Sequence, residues 1–450
     1  MTTEQDTTAD LARLQELLQG DDAQPAIDFL EGMHPADQAD VFEALDEADQ
    51  PKVLALLSGA GIAHLLGHLE GEQRRAVVQE MPRATLARVL DASENDVAVD
   101  ILRTIPPAEA VMTLSQMSTA AEVTPLLAHA DESAGGLMTP GYIAVHRDMT
   151  AGEAIDFLRA SKPAAEEAYY LYVLDAANHL QGVVNLRQLI VSDPETRLGD
   201  VMETEPIAVA AKTDQEEAAN LMQHYRLRSL PVVDEEGVLR GVITGDDIID
   251  VIQEEATEDM YYMAGLPGDD SLHASLQVSA RKRIPWLMVS LATSFMAGAV
   301  VALFEGTIEQ AAALVVFMPI IAAQSGSAGI QTVTIVVRGI ALRELEAAEA
   351  WRALRKEIAL GVIRGVLFGL LVGGAAYLWQ GEWAWGVVVG GAMLLNMIVA
   401  GLLGMLIPMA LRAVKLDPAI ASGILLVSFT DILGFLMLLG FGALAISQLT

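Results

Sequence analysis

The stretch Ala419-IASGILLVSFTDILGFLMLLGFGALAI-Ser447 decides what kind of molecule this chain makes. It is long and apolar enough to cross a bilayer, and Asp431 is its one ionisable side chain. Asp431 stands twelve residues past Ala419. At about 1.5 Å per helical residue that is roughly 18 Å deep, near the middle of a hydrocarbon core about 30 Å thick. An Asp at that depth costs roughly 2.5–3.5 kcal/mol even on a lenient insertion scale. A residue kept there against such a cost faces a bundle interior or a wet pathway and marks ion handling. The competing reading is a buried Asp bonded to a hydroxyl of a neighbouring helix.

Four more spans can be drawn before it, at Pro285–Phe304, Ala311–Val337, Ile358–Leu378 and Trp385–Leu411, with the last at Ala419–Ser447. Arg281, Lys282 and Arg283 precede the first. Arg338, Arg343, Arg352, Arg355 and Lys356 fill the loop between the second and third, and Arg412 and Lys415 the loop between the fourth and fifth. The remaining loops carry no Lys or Arg, so the positive-inside rule predicts a cytoplasmic N-terminal half and an external C-terminus. The third span sets Gly361, Gly365, Gly369 and Gly373 four apart, a ridge for close helix packing. The second is unusual: Pro319-IIAAQSGSAGIQT is rich in small and polar residues. Pro319 frees backbone carbonyls, while Gln324, Ser325, Ser327, Gln331 and Thr332 supply neutral oxygens. Such oxygens near one central carboxylate suit a hydrated hard cation; tight packing of small residues is the alternative.

The charge is divided unevenly. From Arg281 onward 11 Lys+Arg stand against 9 Asp+Glu, whereas the first 280 residues hold 16 basic and 51 acidic groups, within a total of −33. The first part therefore reads as an acidic soluble region. Its surface repels phosphate backbones, which argues against nucleic acid and for multivalent cations. There is no cysteine, so disulfides and thiolate metal sites are excluded. Met1-TTEQDTTAD is polar and reads as no signal peptide. No P-loop and no nucleophile–base pairing is visible, so nothing points to an enzyme.

Up to about residue 130, short helical units recur: His34-PADQADVFEAL, Leu69-EGEQRRAVVQEM, Ala92-SENDVAVDILRTI and Pro106-PAEAVMTLSQM. Each opens with a turn or cap residue and then shows apolar positions at helical spacing, which predicts a superhelix of stacked hairpins. His64 and His68 are four apart, but no third ligand is apparent nearby. A clearer repeat follows. Met138-TPGYIAVHRDMTAGEAIDFLR aligns with Met202-ETEPIAVAAKTDQEEAANLMQ, and Leu171-YVLDAANHLQGVVNLRQLI with Leu230-PVVDEEGVLRGVITGDDII. Each half reads as β-α-β-β-α and resembles a CBS domain. Thr244 and Asp247 fit the Thr-x-x-Asp position that in many CBS domains holds a nucleotide, which implies ATP as a ligand. The first copy has Asn185 and Gln188 there, and a dimerising scaffold without nucleotide is the other reading.

Between repeat and membrane lies Gly245-DDIIDVIQEEATEDMYYMAGL. Asp247, Asp250, Glu254 and Glu258 fall three or four apart, and so does Glu255 beside Val251, with no interleaved Lys or Arg. Two like charges about 6 Å apart at an effective dielectric near 20 repel by roughly 2.8 kcal/mol, which a Mg²⁺ ion lying against them relieves. A merely solvated acidic face is the alternative. Ser271 is predicted to cap a further helix, Leu272-HASLQVSARKRI, leading to the membrane.

This order of parts resembles the MgtE family of magnesium channels over essentially the whole chain. The local matches are Glu255-ATED, Pro319 followed by Gly326, Gly329 and Gln331, Asp417-Pro418-Ala419, and Thr430-Asp431-x-x-Gly434. The chain departs from the family's second-span motif where it has Ser327 and Ile330 in place of Asn, and Ala323 and Ser325 in place of Gly. The resemblance implies a homodimer in a bacterial cytoplasmic membrane, its pore lined by the second and fifth spans. Asp431 would hold hydrated Mg²⁺, with Ser327 and Gln331 lining the path. The expected domains are an acidic helical one over 1–130, paired CBS domains over 131–260, a connecting plug helix over 261–284 and a five-helix transmembrane domain over 285–450. A cytosolic Mg²⁺ gauge is expected on Asp91, Asp96, Asp100, Glu216, Asp247, Asp250, Glu255, Glu258 and Asp259, with Asp417 facing them. A cation-coupled exchanger and a non-conducting CBS sensor fit the same residues.

Overall fold

The computed structural model describes residues 3–20, 22–46, 48–69, 71–163, 169–268, 270, 276–345 and 347–449. They divide into two compact units, 1–253 and 254–450.

The first unit opens with short helices: α1 (Thr3–Leu18), α2 (Gln24–Glu31), α3 (Pro35–Glu43), α4 (Gln50–Leu56), α5 (Gly59–His68), α6 (Gly71–Glu80), α7 (Arg83–Leu90), α8 (Asn95–Thr104), α9 (Pro107–Leu114) and α10 (Ala120–Leu126). Pro at the first turns of α2, α3, α4 and α9 starts helices where an N–H has no partner anyway. Alternate helices pack on one another, α3 on α5, α5 on α7, α6 on α8 and α8 on α10, which is the expected superhelix.

After α11 (Ala134–Leu137) come the two repeats. The first holds β1 (Ile143–His146), α12 (Ala151–Ser161), β2 (Tyr170–Leu174), β3 (Leu180–Asn185) and α13 (Leu186–Val191). The short α14 (Leu198–Val201) and β4 (Glu203–Thr204) lead to the second, with β5 (Val209–Ala210), α15 (Gln215–Tyr225), β6 (Ser229–Val233), β7 (Leu239–Thr244) and α16 (Gly245–Met263). In each the first strand runs parallel to the second and the third antiparallel to it. The β-α-β-β-α order is thus as expected. One apolar core runs from the superhelix (Val99, Leu102, Leu126) into the second repeat (Val209, Ile243, Ile248, Val251). That shared core fastens α8 to the repeat from which α16 starts.

The second unit contains the end of α16 and five helices long and apolar enough to cross a membrane: α17 (Leu276–Leu303), then, after the short α18 (Glu305–Gln310), α19 (Ala313–Ala341), α20 (Ala347–Gln380), α21 (Trp383–Ala413) and α22 (Ser422–Leu449). Two start earlier than hydropathy alone predicts. α17 carries Arg281–Arg283 and Pro285 inside it, and α20 begins eleven residues before Ile358 because amphipathic turns extend a helix past its apolar run. The interval 261–284 therefore holds the end of α16 and the start of α17, while the Ser271 cap and Leu272 lie outside the described residues. The glycine ridge of α20 meets Gly386 and Gly390 of α21. A Cβ on Gly369 would stand 2.8 Å from the Gly390 carbonyl oxygen, and one on Gly373 2.5 Å from that of Gly386, so the two backbones touch.

Candidate functional site

Asp96 lies in the first turn of α8 and Asp247 in the first turn of α16. The shared core brings them face to face. Asp247 Oδ2 accepts from the Thr244 hydroxyl at 2.5 Å and the Thr244 amide at 3.2 Å. Asn185 and Gln188 occupy the same positions in the first repeat, where they form a reciprocal cap on α13. Thr-x-x-Asp is therefore first a helix start, and its hydroxyl is already spent on Asp247. Asp96 Oδ1 is buried with no partner. Burial, then the negative charge of Asp96, pushes the Asp247 carboxyl up to about 8. Burial raises Asp96 as well, with Asp246 adding to it. Two half-buried carboxyls held together, neither ion-paired with Lys or Arg among the described residues, are short of positive charge. Among the described residues no three His, Asp or Glu groups form a complete cage. Mg²⁺, which keeps most of its waters, is suited to one or two carboxylates.

The other residues expected to gauge Mg²⁺ are differently placed. Asp100 is pushed up to about 6 by burial, against Arg74 at 3.9 Å and with Asp131 and Asp96 adding. Asp91 is a cap: its oxygens accept from the amides of Ser118 and Thr119 at 3.0 Å and from the Thr119 hydroxyl at 2.9 Å, which together hold its pKa down despite burial. Glu216 lies in the first turn of α15, where Asp214 is the cap. Asp250 is exposed, Glu255, Glu258 and Asp259 half-buried along α16, and Glu258 closes over Gly268. Asp417 accepts from the Ala419 amide at 2.6 Å just before α22.

The far end of α16 meets α19 and α22. Tyr262 and Met263 pack into a cluster with Val333 and Val337 of α19 and Leu426 of α22. A Cβ on Gly423 would collide with the Met263 carbonyl, so helix end and helix start approach backbone to backbone. Gly265, at φ +73°, ends α16 in the left-handed region, and only a residue without Cβ fits beside Ile424 there.

In the long helices, α19 has two polar edges. Gln324, Ser327 and Gln331 are exposed on one. Ser325 and Thr332, buried on the other, each meet a polar group of a neighbouring helix. Thr332 donates to the carboxylate of Glu357 of α20 at 2.8 Å; Glu357 is 7% exposed, and α21 approaches its backbone at Gly401 and Thr332 at Gly404. Asn396 of α21, 0% exposed, donates from Nδ2 to Ser325 Oγ at 2.7 Å and to the Thr430 carbonyl at 3.2 Å. Ser325 commits its own proton to the Ile321 carbonyl at 2.7 Å, so both neighbours need a donor and the amide nitrogen must face them. Asn396 Oδ1 is left buried and unpartnered. Two neutral hydrogen bonds contribute about 1 kcal/mol each, and a stranded buried acceptor costs about 1–3 kcal/mol, so the amide adds almost nothing net to stability. Asp431 follows Thr430 directly and is half-exposed on this chain.

Sequence reasoning missed Asn396 and Glu357. A lone amide in an apolar run was a signal for the first; the second was hidden at the end of Arg355-Lys356.

Comparison with known proteins places this geometry. The family profile for the MgtE intracellular N domain matches residues 33–132, that for the CBS domain 134–193 and 198–254, and that for MgtE, described as a divalent cation transporter, 318–441. The magnesium transporter MgtE of Thermus thermophilus is 35% identical over 95% of this chain and 96% of its own length. That of Bacillus subtilis is 31% identical over 93% and 94%. Among solved structures, the cytosolic domain of the Mg²⁺ channel MgtE in complex with ATP covers 54% of this chain and 99% of its own at 39% identity, with a TM-score of 0.51. The soluble part of a magnesium transporter covers 56% and 99% at 32% identity, with a TM-score of 0.52. With an α-helical N domain, tandem CBS domains and five apolar helices in the family's order, the chain belongs to the MgtE family.

Proposed function

We propose that this chain carries Mg²⁺ across the bacterial cytoplasmic membrane, with Asp431 holding the hydrated ion in passage and the acidic soluble half gauging cytosolic Mg²⁺. The observation that carries it is Asp431 itself, the one carboxylate of α22, at the level where Ser325, Asn396 and Thr430 meet. Relatives over nearly the whole length are named magnesium transporters, which supports the choice of ion. Ser327 and Gln331, on the exposed edge of α19, line the path in this reading, and a second copy closes it. The Lys/Arg pattern argues for a cytoplasmic soluble half and an external C-terminus.

In this reading, cytosolic Mg²⁺ settles between Asp96 and Asp247 and along Asp250, Glu255, Glu258 and Asp259. It relieves their repulsion and fixes α16, whose end packs on α22 and keeps the inner mouth shut. Asp100, Glu216 and Asp417 extend the acidic surface; Asp91 contributes by holding α10 in place. Loss of Mg²⁺ frees the helix. A full switch needs about 5.5 kcal/mol, which several relieved pairs supply and one does not. ATP at the CBS pair is a further proposal, supported by the ATP complex of a similar cytosolic domain.

The test is Mg²⁺ flux into liposomes carrying the parent or Asp431→Asn. The variant is expected to lose at least about tenfold in rate, about 1.4 kcal/mol of stabilisation of the passing ion; equal flux would remove Asp431 from conduction. Glu357, a buried carboxylate within the long helices besides the half-exposed Asp431, is the observation that favours a coupled exchanger. Uptake that depends on a Na⁺ or H⁺ gradient would decide for that reading.

A further inference from the structure

Asn396 has no role in the transport scheme above, yet it touches both flanks of the turn that carries Asp431. Its amide nitrogen bonds to the Thr430 carbonyl, one residue before the carboxylate. It also fills the space of a missing side chain three residues after it: a Cβ on Gly434 would lie 2.5 Å from Asn396 Nδ2. Its second hydrogen bond goes to Ser325 of α19. One side chain from α21 therefore joins α19 and α22 at the depth of Asp431. The bonds it makes and the oxygen it strands roughly cancel, so stability alone does not account for an amide where a leucine of similar size would pack.

We infer that Asn396 is a positioning residue for the Asp431 site, setting the height and rotation of that helical turn and thereby which divalent cation passes. The inference rests on Asp431 being the conduction carboxylate. Two bonds from one planar amide fix α22 against α19 both along its axis and about it, which apolar contacts, being non-directional, do not.

The experiment uses the full chain in liposomes, with uptake of Mg²⁺ and of Ca²⁺ measured against concentration and melting followed in detergent. Asn396→Leu is expected to melt with the parent, to lose about tenfold in Mg²⁺ rate at saturation, and to narrow the preference for Mg²⁺ over Ca²⁺. Gly434→Ala, whose methyl displaces the amide, is expected to reproduce the effect and to add nothing in an Asn396→Ala background. A leucine variant with parental rate and preference overturns the inference, and so does one that melts far below the parent, since the amide is then structural. Asp431→Asn is run alongside. If it conducts normally, the conduction reading itself has failed; if it is silent while Asn396→Leu is parental, only the present inference falls.

Discussion

Asp247 starts a helix through Thr244, faces Asp96 and belongs to the longest acidic row in the chain. Its pKa, raised from 3.8 to about 8, makes its titration a stability statement. The folded state holds the proton more tightly than the unfolded one. That contribution is complete below about pH 4 and is lost as pH rises through 8. Without divalent ions, melting of the full chain should therefore fall between pH 5 and 8. Asp247→Asn should flatten the fall, and added Mg²⁺ should reverse it at pH 8 in the parent, where the deprotonated pair can bind. A melting temperature independent of pH in the parent would mean that the pair is not under tension. The same residues mark the limit of what sequence conveys. Asp431 is legible because nothing else in its run is charged, and Asp247 because its spacing and lack of basic neighbours are local facts. Asp91 resembles a gauge residue in sequence but is a cap for a helix 27 residues away. Asn396 finds its partners 71 and 34 positions distant. Such pairings are set by packing, and no spacing rule reaches them.

Among elements, α16 joins the two chemistries. Its first turn carries Asp247 and its last residue, Met263, lies against Gly423 at the start of α22. The acidic row is visible in sequence; the docking of its far end is not, because a glycine in an apolar run gives no sign of which backbone fills its space. Gly423→Leu should push Met263 away and weaken closure. Mg²⁺ uptake into liposomes should then need several-fold more internal Mg²⁺ for half-inhibition, with the maximal rate preserved. Unchanged inhibition would separate α16 from the gate. Neutralising Asp247, Asp250, Glu255 and Glu258 together tests the other end: flux should become insensitive to internal Mg²⁺, and retained inhibition would take these residues out of sensing.

For the whole molecule, architecture was the most legible property. Hydropathy and the Lys/Arg pattern outline five long helices, and the repeat outlines two β-α-β-β-α domains, because both rest on periodicities that each segment carries by itself. Boundaries were less so, since α17 and α20 run past their apolar cores into charged turns. The glycine contacts of α20 with α21 carry a mechanical consequence. Two rods whose main chains touch at Gly361, Gly365, Gly369 and Gly373 have no slack in which to slide or roll. In the proposed gating they would act as a stator, and the rearrangement of opening would fall to the remaining long helices. Spin labels at Leu371 and Val387 should keep one separation with and without Mg²⁺, while a pair spanning α17 and α20 should not.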